Sequence, residues 1–314
     1  MRRTGKIIGT IICILVIVAV LGFGIFIGSE TFNGLTNTVP REETLENAKS
    51  YMNKYDDFVK DKEIREIKIK SSKFDYEIPA IFIKNPKGSD LALMVHGMGG
   101  TKYSMYQQGE VLYDLGYSLL IYDQRNSGDN KCEYSSFGVL ESYDCLDALA
   151  YAKKSINENN KVLLYGQSYG AATALIAASR DDSYIDYLVL DCPVADSNEL
   201  VDEVFKNVER KQGLPAWIMR FTGNIFLKVR LGFSLDDIDA SKWAKDSNIQ
   251  SPTLIINSDS DTVTPHHMGE EIYKSIGNNR KELYTTKGYD HLKFSETNPE
   301  EFKKVLIDFL DKYK

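Results

Sequence analysis

The sequence predicts an α/β fold built on a mostly parallel, eight-stranded sheet that is flanked by helices. Short buried apolar runs alternate with helical patterns along the chain, as in parallel sheets whose strands are connected through helices. One of these runs leads into a Gly-rich turn, Gly166 to Gly170, and then into an alanine-rich helical segment. With 314 residues, the chain is long enough for one large α/β domain or two small ones, and its 43% apolar and 26% charged residues are ordinary for a globular protein.

Composition excludes several classes of protein. The net charge of -7 argues against nucleic acid as the main partner. The four cysteines include no C-x-x-C pair, which excludes a disulfide-dense scaffold and a cysteine zinc site. The four histidines show no metal-ligand spacing, so we expect no metal site.

The N-terminal segment predicts a membrane anchor over residues 1–28. Ile7 to Ile27 carries no charge and is long enough for a bilayer core, which needs about 20 residues in a helix. Arg2, Arg3 and Lys6 precede this run and Glu30 is the first charge after it, which puts the N-terminus in the cytoplasm. A cleaved signal peptide would have a shorter apolar region and a small-residue cleavage site. We therefore favour an uncleaved, single-pass anchor in the cell membrane, with the rest of the chain outside the cytoplasm.

Residues 29–63 are expected to connect this anchor to the catalytic domain at 64–314. The stretch 29–40 is rich in Thr, Asn and Gly and reads as a short linker. Residues 42–60 carry apolar groups at helical spacing, which predicts one amphipathic helix packed on the main domain.

Eight predicted strands form the sheet. The first two, Ile64–Lys70 and Tyr76–Ile83, are joined by a short segment and indicate an opening antiparallel hairpin. The last predicted strand is Lys281–Thr286. The other five are short apolar runs: Leu91–Val95, Tyr117–Asp123, Val162–Tyr165, Ile185–Asp191 and Pro252–Ile256.

The turn from Gly166 to Gly170 reads G-x-S-x-G between a strand and a helix, which is the context of a nucleophile elbow. Glycines allow the sharp turn and the close approach of strand and helix. The turn would present the Ser168 hydroxyl at the edge of the sheet. The N-terminus of the following helix offers N–H groups and a positive dipole end to a developing oxyanion.

A second motif, His96 to Gly100, follows an early buried strand. An acyl-transfer site needs two N–H donors about 3 Å from the oxyanion position. We assign them to the amides of Met98 and Tyr169. His96 is expected to orient this loop through its ring rather than to act as the base.

Two further loops supply a candidate base and a candidate acid. His291 lies between the last predicted strand and the final helix, and Asp259 and Asp261 both follow the strand before it. On position alone either aspartate qualifies. The chain order Ser, Asp, His is the order in which hydrolases of this architecture carry these residues.

Residues 196–248 form a helical insertion between two strands, longer than an ordinary crossover. We expect a lid over the site, with an apolar stretch from Gly213 to Phe233 that could wall an acyl chain or simply pack on the core. Basic side chains in this insertion suggest a preference for anionic or lipid-surface substrates: Lys206, Arg210, Lys211, Arg220, Lys228 and Arg230.

Over residues 64–314 the chain resembles the α/β-hydrolase superfamily. It looks most like bacterial serine hydrolases with an N-terminal membrane segment, in the group related to monoacylglycerol lipases and prolyl-peptidase-type domains. The resemblance implies Ser168 as nucleophile, His291 as base and Asp261 as the orienting acid, because the family acid lies about four residues before a proline. The motifs that carry it are His96 to Gly100, Asp123 to Gly128, Gly166 to Gly170, Asp261 to Pro265, and His291.

The implied activity is hydrolysis of carboxylic esters, with small-molecule or lipid-like substrates. A peptidase or an acyltransferase could use the same three residues, because the lid and the pocket determine the leaving group and the acceptor. A non-catalytic, ligand-binding protein on the same fold is the alternative hypothesis outside the enzymes. Cys132 and Cys145 would be free thiols or, outside the cytoplasm, a disulfide pair.

Overall fold

The computed structural model describes residues 2–156 and 161–314. The chain divides into two compact units. The helical unit consists of Met1–Thr38 and Asn198–Asp236, and the α/β unit consists of Val39–Ser197 and Asp237–Lys314.

The α/β unit is built on one sheet, which has eight strands in the part of the chain that the structure describes. Their order across the sheet is β1-β2-β4-β3-β5-β6-β7-β8. Strand β2 is antiparallel to β1 and β4, and the other neighbours pair in parallel. The predicted sheet and its opening hairpin are confirmed. The strands are β1 (Glu63–Lys70), β2 (Glu77–Lys84), β3 (Leu91–Val95), β4 (Ser118–Tyr122), β5 (Val162–Gln167), β6 (Tyr187–Asp191), β7 (Thr253–Ser258) and β8 (Lys281–Thr286).

Helices account for most of the remaining chain. Short 3-10 segments cover Lys102–Met105 and Leu235–Ile238, and a π-helical turn, Ala152–Ile156, extends the helix before it. The helices are α1 (Arg2–Thr36), α2 (Arg41–Lys49), α3 (Met52–Val59), α4 (Tyr106–Asp114), α5 (Glu141–Tyr151), α6 (Tyr169–Arg180), α7 (Ser197–Gln212), α8 (Ala216–Leu231), α9 (Ala240–Asp246), α10 (His266–Ser275), α11 (Lys293–Thr297) and α12 (Pro299–Lys312).

The central strands are mostly apolar because both faces of the sheet are covered. Successive side chains of a strand point to opposite faces. Leu93 accordingly packs in the cluster with α5, α6, α9 and α10, whereas its neighbour Met94 packs with α3, α4 and α12. Every residue of β3 to β7 is buried, as expected for parallel strands between two helical layers.

The chain between the anchor and the sheet differs from the prediction in two places. The stretch 29–36, expected to be linker, continues α1 as a helix, because Phe32 and Leu35 are buried inside the helical unit. The single helix expected at 42–60 is two helices, α2 and α3. The chain breaks at Ser50 and Tyr51, whose amides bond to the carbonyls three residues earlier rather than four.

The insertion between β6 and β7 is also smaller than predicted. The helical unit takes only Asn198–Asp236 from it. Residues 237–248 belong to the α/β unit, where Ala240 and Ala244 of α9 pack in the cluster that includes α6 and α10. That these helices act as a lid stays a prediction.

Among the described residues, α1 is the one helix long and apolar enough to cross a membrane, judged by length and composition. Its side chains from Ile7 to Phe26 are almost all exposed. This exposure is what lipid contact requires of an apolar helix.

Candidate active site

The connection from β5 to α6 is a sharp turn centred on Ser168. The backbone of Ser168 has φ 54° and ψ -123°, a strained conformation for a residue with a side chain. A Cβ on Gly166 would lie 2.4 Å from the carbonyl oxygen of Gly170, and a Cβ on Gly170 would lie 2.2 Å from that of Val95. Both glycines are therefore required by backbone packing, and the turn they allow sets the position of the serine hydroxyl.

Three predicted site residues form a hydrogen-bonded series with His291 in the middle. The Oγ atom of Ser168 is 2.9 Å from Nε2 of His291, and Nδ1 of His291 is 2.7 Å from Oδ2 of Asp261. An ionised carboxylate only accepts, so His291 carries its proton on Nδ1 and offers Nε2 as the acceptor for the serine hydroxyl. This arrangement can move a proton from the serine to the imidazole.

Asp261 is held ionised by the loop that follows β7. Its Oδ1 accepts from the amides of Val263 and Thr264, both at 2.8 Å, and its Oδ2 accepts from the Thr264 hydroxyl at 2.9 Å. Burial raises the pKa of Asp261, but the hydrogen bonds from His291 and from these amides outweigh it and lower the pKa to about 2.

Asp259, the other aspartate whose position after β7 allowed it to be the acid, is exposed, and its carboxylate bonds to groups other than His291. Its carboxylate accepts from the amide of Gly288 and the hydroxyl of Ser260. The carboxylate next to His291 is therefore that of Asp261. Thr264 was not singled out from the sequence, although an aspartate that caps the amides two and three residues ahead of it is a recognisable turn pattern.

His96 orients the loop beside Ser168. Its Nδ1–H donates to the carbonyl of Gly97 at 2.8 Å, and its Nε2 accepts from the amide of Gln124 at 3.0 Å. These two bonds fix the tautomer, and burial lowers the pKa of His96, so the ring is neutral. Because the carbonyl of Gly97 points towards the ring, the N–H of the same peptide unit, that of Met98, points away from it.

The amides of Met98 and Tyr169 are the two candidate oxyanion donors. Tyr169 is the first residue of α6, where a helix leaves its N–H groups without an intrahelical partner. Across the described residues, no hydrogen bond is made by either amide. A Cβ on Gly97 would lie 3.4 Å from Cβ of Ser168, so the loop that carries Met98 lies against the serine.

The Tyr169 side chain is anchored through its hydroxyl. Its hydroxyl is 3.3 Å from the amides of Ser136 and Gly138, which also bond to the buried carboxylate of Glu141. These contacts hold the ring in one position.

A buried ion pair supports the loops on the β4 side of the site. Apart from the Asp123 to Gly128 motif, no sequence pattern indicates it. Asp123 accepts from the amide and from Nζ of Lys102, both at 2.7 Å, and from the amide of Asp129 at 2.9 Å. A Cβ on Gly128 would lie 2.4 Å from the Asp123 carboxyl group. The glycine is needed because the chain wraps closely around this carboxylate.

Arg125 has a structural role beside the same loop. It is buried, donates to the Tyr76 hydroxyl and the Tyr134 carbonyl, and lies 4.5 Å from the ring centre of Phe74. Its Nη1 is 3.9 Å from the Asp144 carboxylate. Arg125 also lines a small pocket together with Met98 and Tyr169.

One group of side chains has the residue types of a metal site. The candidate ligand atoms of Cys192, Asp261 and His291 lie within 4.8 Å of one another. Two ligands of one tetrahedral zinc lie about 3.4 Å apart, since each is about 2.1 Å from the ion. The 2.7 Å between His291 and Asp261 is a hydrogen-bond distance instead. Cys132 and Cys145 are free thiols in the structure, as is Cys192.

Comparisons with known proteins agree with this architecture. A family model described as the alpha/beta hydrolase fold matches residues 93–245. The esterase Pf2001 of Pyrococcus furiosus superposes with a TM-score of 0.64 at 22% identity and covers 81% of this chain and 95% of its own. A monoacylglycerol lipase of Paleococcus ferrophilus superposes with a TM-score of 0.55 at 20% identity, covering 76% and 100% of the two chains. The protein therefore has the α/β-hydrolase fold.

The chain is also similar in sequence to known proteins. The chain is 26% identical to the protein YqkD of Bacillus subtilis (strain 168) over 241 residues, 76% of this chain and 77% of that one. It is 27% identical over 269 residues to the lysophosphatidylserine lipase ABHD12 of Mus musculus, but spans only 63% of that protein's length. Esterases and lipases are therefore among the proteins to which this chain is similar.

Proposed function

We propose that the protein is a membrane-anchored serine hydrolase that cleaves carboxylic esters of acyl or lipid-like substrates. The observation that carries the proposal is the hydrogen-bonded series Ser168, His291, Asp261 beside the two unpaired amides of Met98 and Tyr169. Nucleophile, base, orienting acid and oxyanion donors are the parts that acyl transfer requires.

The reaction proceeds in two halves. His291 Nε2 takes the hydroxyl proton as Ser168 Oγ attacks the ester carbonyl, and the two amides hold the negative oxygen of the tetrahedral intermediate. The imidazolium then gives its proton to the departing alcohol, which leaves an acyl group on Ser168. Water, deprotonated by the same imidazole, attacks that acyl group, and the carboxylic acid and the free serine are formed.

Ionised Asp261 stabilises the imidazolium in both halves. Because its pKa of about 2 lies far below neutrality, the carboxylate stays charged throughout and does not take up the proton itself. No step requires a metal or an organic cofactor.

The substrate class is inferred from the relatives and from α1. Lipases that act on lysophosphatidylserine and on monoacylglycerol are among the proteins similar to this chain. An apolar α1 that crosses the membrane once, with its N-terminus in the cytoplasm and the α/β unit outside, would keep the enzyme next to such substrates.

The test is hydrolysis of p-nitrophenyl esters of increasing acyl length by the full-length protein in phosphatidylcholine vesicles, with Ser168→Ala as control. We expect activity in the wild type and loss of essentially all of it in the variant, and the preferred chain length reports the depth of the acyl pocket. A fluorophosphonate probe, which labels an activated serine, is applied in parallel. Labelling without ester hydrolysis would favour a peptidase or acyltransferase, and the absence of both would refute the proposal in favour of a ligand-binding protein.

A further inference from the structure

One side of α8 in the helical unit carries an exposed apolar stripe. Trp217, Phe221, Ile225 and Val229 are 69%, 63%, 45% and 80% exposed. They follow one another at intervals of four residues, so they form a continuous face about 120° wide along the helix. A face of this kind on a soluble surface is rare and marks an interaction site.

The opposite side of α8 is the one that packs within the helical unit. Met219, Gly223 and Leu227 are buried, and the geometry of an α-helix puts them roughly 180° from the centre of the stripe. The helix therefore already has its internal partners. The exposed stripe is a second, separate apolar face.

Helix α1 holds this stripe next to the proposed membrane span. A Cβ on Gly28 would lie 2.6 Å from the ring of Phe226 and 3.2 Å from Cβ of Thr222, and a Cβ on Gly223 would lie 2.6 Å from Thr31. Such close contact through small residues is the way in which helices pack tightly in and beside membranes. Because α1 is one uninterrupted helix, α8 is fixed to its outer end.

Distances along the helices place the whole stripe at the bilayer boundary. Gly28 directly follows the uncharged run that ends at Ile27. At 1.5 Å per residue, every stripe residue lies within about 8 Å along α8 of the contact made by Thr222 and Phe226. The headgroup layer on each side of a bilayer is about 5–7 Å thick, so this reach matches it.

The charges of α8 fit the same location. The helix contains three basic residues, Arg220, Lys228 and Arg230, and no acidic one, in a chain whose net charge is -7. Arg220 bonds to Asp202 and Asn198 inside the helical unit. Lys228 and Arg230 are exposed near the C-terminal end, where phosphate groups of lipids would meet them. Aromatic residues together with basic ones are typical of helices that lie in the membrane interface.

We propose that the exposed face of α8 lies in the headgroup layer of the same bilayer that α1 crosses. The proposal rests on the membrane span proposed above but not on the chemistry of Ser168. Membrane contact would then be made by two adjacent helices, one across the bilayer and one along its surface, so that the helical unit as a whole is a membrane-bound body.

Tryptophan fluorescence tests this directly, because the chain has only two tryptophans, Trp217 on the stripe and Trp243 in the α/β unit. The full-length protein is reconstituted in phosphatidylcholine vesicles with and without bromine near the headgroup end of the acyl chains. The emission of Trp217 is taken as the difference between the wild type and Trp217→Phe, which changes an exposed side chain. We expect brominated lipid to quench about half of this difference, since an interfacial helix sits about 5–10 Å into the boundary. The Trp217→Phe protein, which retains Trp243, should show no quenching.

A second variant and a second quencher complete the design. Phe221→Glu with Val229→Glu should lower the quenching of Trp217 and raise its accessibility to iodide, because two charges would drive the stripe out of the lipid. Trp217 that is quenched by iodide and not by brominated lipid would overturn the proposal. Shielding from both quenchers that grows with protein concentration would overturn it in favour of a second copy of the chain on this face. Alkaline carbonate extraction reports separately on α1, and fluorophosphonate labelling of Ser168 reports separately on the active site.

Discussion

Replacing Asp261 by asparagine tests whether this carboxylate, and no other carboxylate near the site, orients His291. The carboxylate accepts four hydrogen bonds, from the Val263 and Thr264 amides, the Thr264 hydroxyl and His291. Asparagine keeps the size but presents an NH₂ group to at least one of these donors. Where that group faces Nδ1 of His291, the imidazole proton moves to Nε2, and Nε2 can no longer accept from Ser168.

The size of the effect follows from the site. The pKa of Asp261 is lowered from 3.8 to about 2, and a shift of this size corresponds to about 2.5 kcal/mol of preference for the charged form. Charge develops on the imidazole during the reaction, so the loss of the carboxylate costs more in the transition state than in the resting enzyme. The wrong tautomer adds to this, and together they lower kcat by about 10⁴-fold, or about 5.5 kcal/mol.

The assay is ester hydrolysis at neutral pH by full-length protein, with Asp259→Asn as the matched control. Asp259 lies in the same loop, two residues away, but its carboxylate is exposed and bonds to Gly288 and Ser260. We expect the control to keep at least half of the activity and KM to change little in either variant, since neither carboxylate belongs to the substrate pocket. Activity that survives in Asp261→Asn, or disappears in Asp259→Asn, would refute the assignment of the acid.

Two further predictions concern the scaffold. Gly170→Ala should lower the free energy of unfolding by about 1–3 kcal/mol or more and abolish activity, because its Cβ would lie 2.2 Å from the carbonyl oxygen of Val95. The measurement is thermal unfolding, with Gly277→Ala as the control, because a Cβ there meets nothing within 4 Å. Equal shifts in the two variants would contradict the argument. Burial raises the pKa of Asp144 to about 7 against the opposing charge of Arg125, so the native protein keeps a proton that the unfolded chain has released. The free energy of unfolding should therefore fall as pH rises from about 4 to 7. Asp144→Asn should remove that part of the slope in denaturation curves, and parallel curves would count against it.

The strands were predictable because their environment is simple. The predicted bounds of β3 and β8, Leu91–Val95 and Lys281–Thr286, are the observed ones. Each is a short run that ends at turn residues, and β3 is buried on both faces. For such a run the composition alone contains the signal, since no partner far along the chain has to be known.

The N-terminal connection was not predictable in the same way. Residues 29–36 contain Thr, Asn and Gly, which favour a loop, yet they form the end of α1. Phe32 is fully buried and packs near Phe226, almost two hundred residues further along the chain. Tertiary packing overrides a weak local preference here, and nothing in residues 29–36 themselves indicates it.

Some residues of the candidate site were also predictable from local sequence, and others were not. The G-x-S-x-G motif located Ser168 from local sequence because the turn needs glycines at fixed positions. The choice between Asp259 and Asp261 required the resemblance to a family, since both follow the same strand. The difference between them arises from the turn at Thr264, whose amide and hydroxyl both bond to the Asp261 carboxylate. Local sequence does not indicate the role of Lys102, because its partner Asp123 follows a different strand.

The sheet order explains why these loops can meet. Val95 pairs with Gly166 across β3 and β5, so the loop with Met98 and the turn with Ser168 leave the sheet side by side. At the β8 edge of the sheet, Ser258 pairs with Thr286 across β7 and β8. From β5 to β8 there are three strand spacings, about 14 Å, which the base must cross to reach the serine.

The crossing accounts for the remaining features of the base loop. His291 lies five residues beyond the end of β8, and Leu292 after it has φ 59°, a left-handed conformation that redirects the chain into α11. The proposed acid, Asp261, follows β7, one of the two strands between β5 and β8, so its carboxylate meets the imidazole on the way to Ser168. A shortened base loop could not deliver Nε2 to the serine even with all three side chains intact. The reach of this loop is therefore as much a requirement of the site as the identity of the three residues.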